Sequence, residues 1–118
     1  MKVILPKTLE IYVNAANAGD SETGSSCFSE NAIVLDEGET LKGRKSIRDW
    51  MVKTKKKYNH ITKPLKFREE SGKAIMTAEL SGTFNGSPIT LEYHFKMKNN
   101  LIDDLRVIQP SWILTYAS

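Results

Sequence analysis

Three side chains in this sequence are of types that could share a chemical task, although they are far apart in the chain. Tyr12 stands in "YVNAANAGD", Asp36 ends "NAIVLD", and Tyr93 is central in "LEYHF". A phenol offers one O–H donor, and a carboxylate offers only acceptors until it takes up a proton. Two phenols and a carboxylate around one apolar guest could hold an oxygen and move a proton, provided the fold brings them together. A buried phenol also needs a partner for its hydroxyl. The plain reading of Tyr12 is a core tyrosine satisfied by a backbone carbonyl or by Asp36. The plain reading of Asp36, ahead of "EGE", is a turn former.

Elements must supply the positions. Leu5, Leu9, Tyr12 and Ala16 recur at helical spacing within an arc of about 60°, so Tyr12 faces inward. Pro6 suits a first helical turn, Gly19 a left-handed C-cap, and Asp20 the N-cap of a weak second helix through "SETGSSCF". Residues 31–36 read as a short strand and "EGET" as a turn. The strongest helix begins near Gly43, with Ile47, Trp50, Met51, Thr54 and Tyr58 on one side.

From His60 onward the period is two. Leu65 and Phe67 alternate with Lys66 and Arg68, Ala74 to Leu80 alternate likewise, and Ile89, Leu91, Tyr93, Phe95 and Met97 share a face. "ESGK", "NGSP" and "KNNL" carry the Gly or Asn of tight turns. A further strand runs from Leu101 to about Ile108. Parity places Asp103 with Leu105 and Val107 on the inner face. The outer face is expected to carry Glu79, Glu92, His94 and Lys96 mixed with Ile75 and Ile102, either solvated or as a homodimer surface. The pattern predicts an α+β domain with helices on one face of a curved antiparallel sheet.

Composition narrows the class. The 118 residues are 40% hydrophobic and 26% charged, which is ordinary for a folded globular chain and excludes a disordered one. One domain, residues 1–118, is expected, with an apolar tail at 109–118 in which Trp112, Ile113, Leu114 and Tyr116 pack on the sheet, the pocket mouth or a second subunit. No stretch approaches the roughly 18 apolar residues of a membrane span, and the N-terminal apolar run is too short for a secretory signal. The single Cys27 cannot form an internal disulfide. A cytoplasmic protein is the expectation.

The net charge is only +3, yet eight of the basic residues fall between Lys42 and Lys57 with Asp49 as the one acid among them. A solvated helix face explains that run, because no stacking aromatic residues or reading element accompany it, and a nucleic-acid partner is not expected. His60, His94 and Cys27 lack ligand spacing, so no metal is expected. No glycine-rich phosphate loop or dinucleotide fingerprint occurs, and no cofactor is expected.

The order of elements, with "YVNAANAGD", "CFSENAIVLDEGE", "LKGRKSIRDWM" and "LEYHFKMKNNLIDDLRV", resembles the nuclear transport factor 2-like superfamily in its SnoaL-like and ketosteroid-isomerase-like branch, over residues 5–108. That resemblance implies a cystatin-like fold in which three N-terminal helices pack on a curved, mostly antiparallel sheet to form a cone-shaped pocket. It implies no cofactor and a small apolar ligand. Carried over residue by residue, Asp36 falls at the position of the proton-moving aspartate and Tyr12 at that of the helix-one phenol which steadies a dienolate oxygen. Where the isomerases have a protonated acid, this chain has Tyr93. The last-strand aspartate of the cyclases corresponds to Arg106, and the Asp-Arg-Asp set of limonene epoxide hydrolases has no placement here.

Trp50, Phe67, Leu91, Phe95, Asp103 and Leu105 are expected to complete the pocket wall. The expected activity is proton transfer next to a carbonyl, with Asp36 as base and Tyr12 and Tyr93 as oxyanion donors. The alternatives are a small-ligand-binding protein without chemistry and a dimeric interaction module.

Overall fold

The computed structural model describes residues 3–109, so the packing expected for Trp112, Ile113, Leu114 and Tyr116 lies outside the described residues. Helix α1 (Lys7–Ala18) buries Leu9, Tyr12, Val13 and Ala15. It ends where Gly19 adopts φ 73°, and the N–H groups of Gly19 and Asp20 close onto Ala16 O and Ala15 O. Asp20 then starts α2 (Ser21–Ser26), its Oδ1 accepting from the Thr23 amide at 3.1 Å. Both caps satisfy helix-end groups that would otherwise face the core unpaired.

Strand β1 (Phe28–Asp36) begins three residues before the predicted start, because Phe28 anchors it as a fully buried residue. "EGET" is only half a turn. Glu37 and Gly38 reverse the chain with positive φ, and β2 (Glu39–Lys42) pairs back onto β1. This short edge strand is polar, so it carries no hydrophobic period. Helix α3 (Arg44–Tyr58) follows, closed by Asn59 in the left-handed region. Lys55, Lys56 and Lys57 occupy its last turn, where positive charge suits the helix dipole.

Strands β3 (Ile61–Glu70), β4 (Lys73–Ser81), β5 (Ile89–Lys98) and β6 (Leu101–Ile108) complete a six-stranded open sheet in the order β2-β1-β6-β5-β4-β3. Only β1 against β6 is parallel. The turns Ser71-Gly72 and Asn99-Asn100 hold both central residues at positive φ, the twist that two-residue hairpins need.

Two bulges change the parity expected from sequence. In β3, Pro64 pairs with Ala78 and Lys66 with Thr77, so Leu65 is the extra residue; it is 40% exposed rather than inward with Phe67. In β6, Asp104 pairs with Lys96 and Ile102 with Met97, so Asp103 is the extra residue. Ile102 is consequently fully buried in the core and not on the outer face. Ile75 is on the outer face by pairing with Arg68 and His94, yet only 3% exposed.

The core lies between the helices and the inner sheet face. Leu9, Phe28, Val34, Ile47, Phe95 and Leu105 are fully buried there, each contributing about 1.5–3 kcal/mol by removal of its side chain from water. Asn17 of α1 clamps β3: its Nδ2 donates to Thr62 O at 2.9 Å and its Oδ1 accepts from the Thr62 amide at 2.7 Å. No helix among the described residues is long and apolar enough to cross a membrane.

Candidate functional site

A cavity of about 720 Å³ remains between the helices and the sheet, within the range of ordinary small-molecule sites. Each element contributes to it by its inward period. Helix α1 gives Tyr12 and Ala16, the end of β1 gives Asp36, α3 gives Trp50, Thr54 and Tyr58, and β5 gives Ile89, Leu91 and Tyr93. Helical spacing of four and strand spacing of two therefore converge on one volume.

Tyr12 packs edge-on against Phe28 (ring centroids 5.4 Å) and Phe95 (6.1 Å), which fixes its ring. Tyr93 stacks on Phe95 at 6.3 Å. Among the described residues neither phenol hydroxyl meets hydrogen-bond geometry with a protein atom, while no fully enclosed side-chain nitrogen or oxygen lacks a partner. Both tyrosines line the cavity. Burial pushes the Tyr12 phenol well above its ordinary value, with Tyr93 and Asp36 adding to the shift. Burial likewise pushes Tyr93 up to about 12, partly offset by the nearby Thr62 hydroxyl. Both remain protonated donors at neutral pH.

Asp36 is not engaged by either phenol. Its Oδ2 accepts from Trp50 Nε1 at 3.1 Å, which leaves Oδ1 for another partner. Burial raises its pKa above the ordinary carboxylate value; the indole N–H acts against this, and the charges of Glu37 and Glu39 act with it. The result is a carboxylate with increased proton affinity, held by one donor in a mostly apolar chamber.

Tyr58 is fixed on the cavity wall from three sides. Its hydroxyl donates to Glu37 Oε1 at 3.1 Å, its ring meets Phe84 edge-on at 5.8 Å, and its carbonyl accepts from the Thr83 amide at 2.8 Å and hydroxyl at 3.1 Å. The β1–β2 turn, the end of α3 and the β4–β5 connection thus meet at one residue.

Of the residues expected from sequence, Tyr12, Asp36, Trp50, Leu91 and Tyr93 line the cavity together. Phe67, Phe95, Asp103 and Leu105 do not. Phe95 and Leu105 share the inner face but are fully enclosed beneath it, serving as support for the two tyrosines. Phe67 packs against the core from β3 without reaching the cavity. Asp103 is turned away by its bulge and accepts from the Ser29 hydroxyl. His60, Thr62, Glu37 and Asn85 line the cavity without having been expected there. Thr54 and Tyr58 could have been found, standing four and eight residues after Trp50. His60 and Thr62 could have been found too, standing two apart where the period of two begins.

No protein-family model and no curated protein matches the chain. Solved structures do. A proposed polyketide cyclase from Sinorhizobium meliloti is 35% identical, with a TM-score of 0.84 over 87% of this chain and 94% of that one. A nuclear transport factor 2-like protein from Cytophaga hutchinsonii superposes with a TM-score of 0.74 at 15% identity over 98% and 97% of the two chains. A protein of ketosteroid-isomerase-like fold from Catenulispora acidiphila, solved with trimethylamine, gives 0.77 at 16% over 88% and 85%. The chain belongs to the nuclear transport factor 2-like superfamily, among its SnoaL-like members of cystatin-like and ketosteroid-isomerase-like fold.

Proposed function

We propose that this protein is a cofactor-independent enzyme that moves a proton at a carbon next to a carbonyl in a small apolar substrate. The observation that carries this reading is the meeting of two phenols and a carboxylate, held among the described residues by the Trp50 indole alone, on the wall of one cavity. Asp36 removes the proton through its free oxygen, and the electron pair of the broken C–H bond moves onto the carbonyl oxygen as an enolate. Tyr12 and Tyr93 donate to that oxygen, an interaction strongest when the charge has developed. Asp36 then returns the proton to another carbon of the conjugated system, so atoms and charge balance without an oxidant or co-reactant.

Closure of a polyketide ring by carbon–carbon bond formation starts from the same deprotonation, so the 35% identical relative proposed as a polyketide cyclase is consistent with this step. In this reading the sheet and helices act as a cone around the substrate, and the outer sheet face serves a homodimer. The test uses a β,γ-unsaturated ketone and the absorbance of its conjugated isomer. Turnover that Asp36→Asn abolishes is the expected result. A phenolic ligand that raises the melting temperature equally in both proteins, with no turnover in either, would replace the enzyme with a binding protein.

A further inference from the structure

The cavity wall carries a polar group for which the proposed reaction has no use. His60 immediately precedes β3 and shares the inward parity of Thr62. Strand β3 is the edge of the sheet away from β1, with β6, β5 and β4 between them. At about 4.8 Å per strand, β1 and β3 are some four spacings apart along the sheet. On the helical side, Trp50, which holds Asp36, and Thr54 line the same cavity one turn apart. Asp36 and His60 therefore border different parts of one chamber.

Burial keeps the His60 ring below its ordinary pKa, the Lys55 ammonium adds to this, and the Thr54 backbone offsets it in part. The Lys55 ammonium is not free for a ligand, since its Nζ donates to Asn17 O at 3.1 Å and His60 O at 2.7 Å. A neutral imidazole has one N–H and one bare nitrogen. That bare nitrogen is the acceptor His60 brings to the cavity wall. No Lys or Arg is among the described residues lining the cavity, whereas Asp36 and Glu37 are. An anionic group on the substrate would therefore be repelled, and a hydroxyl would be matched.

Resting on the proposed reaction, we infer that His60 forms a second polar subsite that accepts a hydrogen bond from a hydroxyl remote from the reacting carbonyl. The substrate class is then a rigid apolar ketone bearing a hydroxyl at its other end.

Calorimetric binding of 2-naphthol and 2,6-dihydroxynaphthalene to the full chain tests this, because a phenol stands in for the enolate and only the diol carries a second hydroxyl. The expected preference for the diol is about tenfold, where about twofold is the advantage of having two equivalent ends. His60→Ala should reduce the preference to about twofold while 2-naphthol binds as before, and His60→Gln, which keeps an acceptor, should retain part of it. A preference no greater than about twofold in the native protein, or one that persists in His60→Ala, overturns the subsite. The Tyr12→Phe/Tyr93→Phe protein separates the two ideas. If it binds 2-naphthol as well as the native protein while the His60-dependent preference remains, the oxyanion reading fails and the subsite stands. If the native protein binds neither compound, both fall.

Discussion

Trp50 Nε1 donates to Asp36 Oδ2 across 3.1 Å, joining the middle of α3 to the last residue of β1. This bond favours the charged carboxylate, against the burial that favours the neutral one. Trp50→Phe removes the favouring partner, so the pKa of Asp36 should rise further. A base works only when ionised, and the acid limb of kcat/KM should accordingly move to higher pH. A pH–rate profile of the variant checks this, and an unmoved limb would remove Asp36 from the role of base.

The two phenols should matter mainly in the transition state. Tyr12→Phe and Tyr93→Phe each remove one oxyanion donor, and such a loss costs about 2.7–4 kcal/mol, or 10² to 10³ in kcat. Little change in KM is expected. Steady-state kinetics on both variants would show whether Tyr93 acts; a loss below about tenfold would leave it as wall.

Asp36 also predicts a pH-dependent stability. Its folded pKa lies above the unfolded value, so ionisation favours the unfolded chain once the pH exceeds that unfolded value. Asp36→Asn should therefore raise the melting temperature at neutral pH. The gain should fade as the pH falls below the ordinary carboxylate range, where both states are protonated. Melting curves across that range decide it.

The Asn17 clamp holds α1 to the strand that leads out of His60. Asn17→Ala leaves the Thr62 amide and carbonyl without their side-chain partners. A loss of about 1–3 kcal/mol is expected from denaturant unfolding, because a buried group deprived of its partner costs more than the bond contributed.

Gly82 packs closely against the backbone of Tyr58 and His60. A Cβ there would collide with the Tyr58 carbonyl and press on the Phe84 ring and the His60 backbone. The contact is with backbone, which cannot step aside cheaply. Gly82→Ala should cost about 1–3 kcal/mol and loosen the Thr83–Tyr58 bonds, measurable by thermal unfolding and by faster amide exchange at Thr83.

Legibility in the sequence followed periodicity. Tyr12, Trp50, Leu91 and Tyr93 lie on uninterrupted helical or alternating runs, and the pattern gives their facing directly. Gly19 and Asp20 announce the α1–α2 corner because their conformations have few substitutes. Asp103 and Ile102 were exchanged between faces because one inserted residue reverses the parity across it, and no residue type marks that insertion. Leu65 failed for the same reason in β3. Phe95 and Leu105 had the right face but the wrong depth, since alternation says which way a side chain points and not what lies above it. Strand β2 is polar and four residues long, so it carries no period.

Glu37 is at once the acceptor for Tyr58 and a neighbouring negative charge that strengthens Asp36 as a proton acceptor. A guest that pushes Glu37 aside while entering would also weaken the hold of Asp36 on a proton. By reciprocity, protonating Asp36 must then make that displacement harder. Admission to the chamber and the acidity of its carboxyl group are in this way two readings of one equilibrium.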